Sequence, residues 1–106
     1  MAYYISILQI DGSIQHETTD TAPEYERIKR GLNDGMLEFV PQFDMYGDKP
    51  CVAFCDEEGK IKALAANPRA TYLWYACLAP EPFRPDTLHG TVYIIAADET
   101  AELKEL

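Results

Sequence analysis

Asp56-Glu57-Glu58-Gly59-Lys60-Ile61-Lys62-Ala63-Leu64, followed closely by Asn67-Pro68-Arg69-Ala70-Thr71, decides how this chain is to be read. The acidic residues and Gly59 make a tight turn after an apolar run. Lys60 to Leu64 reads as a returning strand. Asn67 is a strong helix cap, because its side-chain oxygen can accept an early backbone N–H. Pro68 fits the first helical position, where no N–H is needed. Beyond it, Ala70, Leu73, Trp74, Cys77 and Leu78 recur at helical spacing and make one apolar stripe. Tyr72 and Tyr75 fall off that stripe. The expectation is that Trp74 faces a sheet and the two tyrosines lie at least partly outside it.

Working towards the N-terminus, Pro50 to Cys55 is apolar throughout and reads as a central strand. Met36 to Val40 is a shorter strand ended by Pro41, and Gln42 to Lys49 reads as a loop. Thr21-Ala22-Pro23-Glu24 matches a capping box, with Tyr25, Ile28 and Leu32 as the buried stripe of a helix stopped by Asn33-Asp34-Gly35. Tyr3 to Ile10 and Ser13 to Glu17 flank Asp11-Gly12 and form a hairpin. Towards the C-terminus, prolines between Pro80 and Pro85 make an extended connector, and Thr91 to Ala97 is a β-branched last strand. The expected fold is α+β: a mixed or antiparallel sheet of about five strands, in β-β-α-β-β-α-β order, with two helices packed on one face. Residues 1–97 are expected as one domain and 98–106 as an acidic tail with the makings of a short frayed helix. Apolar groups on both faces of the last strand lean towards a homodimer.

A length of 106 residues allows one core and little room for a catalytic lobe. No apolar run approaches the roughly 18 residues that span a bilayer. The start of the chain does not read as a signal peptide, so the expected compartment is the cytoplasm. Eighteen acidic against nine basic side chains leave a net charge of −9, which opposes contact with nucleic acid or anionic membranes. The same charge suits a partner with a basic surface. Cys51 and Cys55 on one strand would lie about 13 Å apart, too far for a disulfide. All three cysteines read as reduced core residues.

Several of these pieces, taken in order, resemble a family of small proteins carried by phages, plasmids and integrative elements, domain of unknown function 3846. The resemblance rests on the opening strand into Asp11-Gly12-Ser13, Gly35-Met36-Leu37-Glu38-Phe39-Val40, Asp56 to Lys60, Asn67 to Thr71, and Gly90-Thr91-Val92-Tyr93-Ile94-Ile95. The Phe43 to Lys49 loop and the proline-rich Ala76 to Pro85 depart from its pattern. The family has no established activity to carry over to residues. The resemblance implies a setting: an accessory protein of a mobile element inside a bacterium, a class that includes inhibitors of host defence.

Candidate sites follow from chemistry. Arg69, Tyr72 and Tyr75, with Asp56, Glu57 and Glu58, form the expected partner-binding surface. Asn67, Arg69 and Thr71 at a helix start are the weaker anion site, suited to a nucleotide. Asp44 and Asp48 with the acidic turn are the carboxylates a hard cation would need, but the spacing of a calcium loop is missing and no metal is expected. His16 and His89 lack a catalytic motif around them. The expectation is a non-enzymatic protein without a cofactor; a nucleotide scavenger and a small hydrolase or transferase are the alternatives.

Overall fold

The computed structural model describes residues 2–32, 36–59, 62–78, 87–104 and 106. The expected helix stop at 33–35, the first two residues of the expected strand at 60–64, and the proline connector lie outside these.

Strand β6 (Val92–Ala97) is buried at all six positions. It sits between β1 (Tyr3–Leu8) and β5 (Lys49–Asp56), antiparallel to both. The order across the sheet is β2-β1-β6-β5-β3, with β2 (Ile14–Thr19) and β3 (Leu37–Phe39) at the ends. The short strand β4 (Met45–Tyr46) pairs with the start of β5. The α+β class and the antiparallel sheet are as the sequence predicts.

Alternation divides the core in two. Val92, Ile94 and Ala96 point to one face, with Leu8, Cys51, Ala53 and Cys55. Helix α2 (Pro68–Cys77) covers it through Ala70 and Trp74. Tyr93, Ile95 and Ala97 point to the other face, with Tyr3, Ile5 and Phe54. Helix α1 (Tyr25–Gly31) covers that one through Ile28, and Leu32 follows it into the core. The expectation of both helices on one face is therefore corrected. The central strands are apolar on both sides, so each side needs a cover, and the chain supplies both itself. This removes the argument for a homodimer drawn from the two apolar faces of β6.

Other local expectations hold or fail for visible reasons. The β1–β2 hairpin forms: Asp11 Oδ1 accepts the Ser13 N–H at 2.8 Å, and Gly12 takes φ +90°. The capping box does not form. Glu24 is the residue before α1, its backbone extended and its side chain making no cap bond, while the Thr21 carbonyl accepts from Thr19 Oγ1. Buried Pro23 holds this approach in an extended path, so the helix begins at Tyr25, and Tyr25 is left 57% exposed. The loop before β5 contains a hairpin, turned by Gly47 at φ +65°. Lys62 and Ala63 lie in a turn rather than a strand, with Ala63 at φ +55°. The tail is not free: α3 (Thr100–Leu103) sets Leu103 into the second core cluster, where Leu106 also packs.

Gly31 ends α1 against the ring of Tyr93, which is 2% exposed. A Cβ there would stand 2.7 Å from Tyr93 Cε2. Replacing glycine by alanine in a helix ordinarily gains up to about 1 kcal/mol. Here Gly31→Ala is expected to lose about 1–2 kcal/mol through overpacking, read as a lower urea midpoint at unchanged slope.

Candidate functional site

The start of α2 is built around a buried amide. Asn67 is 0% exposed. Its Nδ2 donates to the carbonyls of Leu8 and Gly90, each at 2.9 Å. Its Oδ1 accepts the Ala70 N–H at 3.2 Å, and its own N–H donates to the Leu88 carbonyl at 2.8 Å. Thr71 Oγ1 donates to the Asn67 carbonyl and accepts the Leu88 N–H at 3.0 Å. The cap is the one the sequence predicts, but the side chains that would have held an anion are consumed by the fold. Asn67 joins β1, the approach to β6 and α2; Thr71 fastens the same joint. Of the three residues expected at the anion site, Arg69 alone is exposed.

The outer side of α2 carries Arg69 and Tyr72, three apart and both exposed. Tyr72 is 75% exposed. Trp74 is turned inward at 7%, with its Nε1 donating to the Pro41 carbonyl at 2.7 Å. Tyr75 lies between these extremes: it is half-buried, packs against the first core cluster, and its ring lies 6.1 Å from that of Trp74. The exposed aromatic surface thus centres on Tyr72 rather than on both tyrosines.

Asp56 is also committed to structure. It is 7% exposed, accepts the Glu58 N–H at 2.9 Å and meets Lys62 Nζ at 2.8 Å. Burial pushes its carboxyl pKa up, but the Lys62 hydrogen bond and the Glu58 N–H outweigh that and leave it below the usual value. Where a strand was expected, the Lys62 N–H donates to the Glu58 carbonyl and the Leu64 N–H to the Gly59 carbonyl, and the Asp56–Lys62 pair accompanies that turn. Glu57 is exposed and Glu58 half-exposed, so both remain available at the surface. Beside them is a shallow cleft of about 130 Å³ lined by Glu38, Cys55, Glu57, Thr87, Leu88 and His89, among others. Leu88 also bonds Asn67 and Thr71, so the acidic turn and the start of α2 meet around the segment leading into β6.

Nucleophilic chemistry finds little footing. None of the three cysteines forms a disulfide. Burial, with the nearby Cys77 and Asp44, pushes the Cys51 thiol up to about 12, far from a thiolate at neutral pH. His16 Nδ1 lies 3.0 Å from Ser6 Oγ, and His89 Nδ1 lies 2.9 Å from the Leu64 carbonyl, which makes that nitrogen the donor. Among the described residues, no three His, Cys, Asp or Glu side chains are grouped to hold a metal ion, and no helix is long and apolar enough to cross a membrane. The chain matches no family model, no curated protein and no solved structure.

Asn67→Ala is expected to cost about 3 kcal/mol, because it removes two buried hydrogen bonds to backbone carbonyls and a helix cap. Arg69→Ala should stay within about 0.5 kcal/mol. Urea unfolding of both variants compares them directly. The Asp56 contribution should also depend on pH. A carboxyl with a lowered native pKa stabilises above its unfolded pKa of about 3.9 and loses that contribution as pH falls through the native value. Asp56→Asn should therefore cost about 1–2 kcal/mol at pH 7, and the gap to the unmodified chain should close under strongly acid conditions.

Proposed function

We propose that this chain is a small accessory protein of a phage or other mobile element that acts by binding rather than by catalysis. In this reading it occupies a basic surface on a host protein and blocks it, as inhibitors of the anti-CRISPR or anti-restriction type do. The setting comes from the family resemblance. The mode of action is carried by one observation: Tyr72 stands 75% exposed beside Arg69, on a helix whose inner side is anchored by Trp74.

A rigidly mounted tyrosine loses little side-chain entropy on binding and offers both a ring and a hydroxyl to a partner. The net charge of −9 adds long-range attraction to a basic surface and speeds encounter. Glu57, exposed, and Glu58, half-exposed, are the carboxylates the acidic turn leaves at the surface, and that turn shares the Leu88 segment with the start of α2. A nucleotide or small-anion binder would have to depend on Arg69, since Asn67 and Thr71 are spoken for.

The test is capture from a bacterial lysate, with variants on the same matrix. One host protein should be retained in stoichiometric amount. Tyr72→Ala should weaken it by about tenfold or more. Reversal of Glu57 and Glu58 to lysine should weaken it further and flatten its dependence on salt. Retention that ignores all these changes, or no stoichiometric partner, removes the reading.

A further inference from the structure

The sheet ends at β3 in an open groove. Register pairs Leu37 with Asp56, Glu38 with Cys55 and Phe39 with Phe54. The Glu57 N–H donates to the Met36 carbonyl and the Val40 N–H to the Ala53 carbonyl, so Met36, Glu38 and Val40 direct their backbone groups at β5. By alternation, Leu37 and Phe39 turn their N–H and C=O groups away from the sheet. Nothing among the described residues pairs with β3 on that side. The side chains of the same two residues line an apolar groove of about 610 Å³ against α1, floored by Ile28 and Phe54 and flanked by Pro23 and Tyr25. Phe39 is 55% exposed although its ring centroid lies 4.5 Å from that of Phe54.

We propose that this groove takes an extended peptide segment of a partner protein, which adds to β3 as a further strand and carries an apolar–basic–apolar triplet. An added antiparallel strand forms hydrogen bonds with Leu37 and Phe39 and sets the side chains opposite them into the groove, where apolar groups fit. The residue between them faces Glu38 across the other side of the sheet, where a lysine or arginine is the complementary choice. Glu24, the one charged residue among the described residues of the groove lining, and the net charge of −9 favour the same sign. A second copy of this chain is the poorer occupant. Two β3 strands paired antiparallel about Glu38 would set that carboxylate against itself and bring together two chains of the same charge. The groove lies on the face covered by α1, away from the face covered by α2, so the inference stands apart from the Tyr72 surface.

The test uses the full isotope-labelled chain and a short capped peptide with Val-Lys-Phe at its centre, followed by amide NMR. Saturable binding should shift the Leu37 and Phe39 amides and slow their exchange with solvent. Phe39→Ala, at an exposed position that leaves the fold intact, should weaken binding about tenfold. Glu38→Lys should abolish preference for the lysine peptide and transfer it to a Val-Glu-Phe counterpart. No shift at either amide at millimolar peptide, binding indifferent to the Glu38 exchange, a chain dimer paired through β3, or uptake of a small apolar dye without peptide binding would each overturn the proposal.

Discussion

Six consecutive residues of β6 are out of water, and the Tyr93 hydroxyl is the one polar side-chain group the strand carries. Such a strand is stable only with a partner on each edge and a cover on each face, because its backbone and its side chains both lose their solvent. β1 and β5 supply the edges. α2 supplies one cover, and α1 with α3 the other. The rest of the architecture follows from this demand. The polar strand β2, with Gln15, His16, Glu17 and Thr18 exposed, is pushed to one edge, and the three-residue β3 closes the other.

Asn67 turns that layered arrangement into a fixed one. A buried amide is costly when unpaired and strongly directional when fully paired. Here every polar group of the side chain is used, on three separate pieces of backbone. α2 therefore has a defined rotation over the sheet, with Trp74 inward and Tyr72 outward. The same bonds have a chemical consequence. A helix start ordinarily presents free N–H groups to an anion, yet here Pro68 has none to offer and Asn67 takes that of Ala70. What would serve a ligand elsewhere serves folding in this chain.

Much of the fold was legible because its signals are local. Asp11-Gly12 specifies a hairpin turn within its own neighbours, Asn67-Pro68 a helix start, and the spacing from Ala70 to Leu78 the buried side of α2. The outward direction of Tyr72 followed from the same spacing. Other features depend on distant partners. The capping spacing of Thr21 and Glu24 was satisfied on paper, but buried Pro23 keeps the approach extended. Lys62 reads as part of a strand, yet it lies in a turn and pairs with Asp56. Gly47-Asp48 was a usable hairpin signal within the expected loop. The burial of Asn67 gave no local sign, since a cap residue is ordinarily wet. Nor did the groove beside β3, which draws on residues near 22–28, 37–39, 54 and 106.

The late start of α1 connects these observations to recognition. Had the helix begun at Thr21, another turn would have followed the approach to the sheet. Instead Ala22, Pro23 and extended Glu24 lead into the helix and line the groove, together with Tyr25 and with Leu37 and Phe39 of β3. The groove is thus a by-product of how Pro23 is buried, and it opens beside a strand whose outer backbone has no partner among the described residues. On both faces the pattern is the same. Asp56, Asn67, Thr71 and Cys51, the groups most capable of chemistry, are tied into hydrogen bonds or sealed in the core. Tyr72, Phe39, Tyr25 and the carboxylates of Glu57 and Glu38 are left outside. Aromatic rings and carboxylates on a rigid sheet distinguish partners by shape and charge, and the binding role proposed for this chain rests on that division.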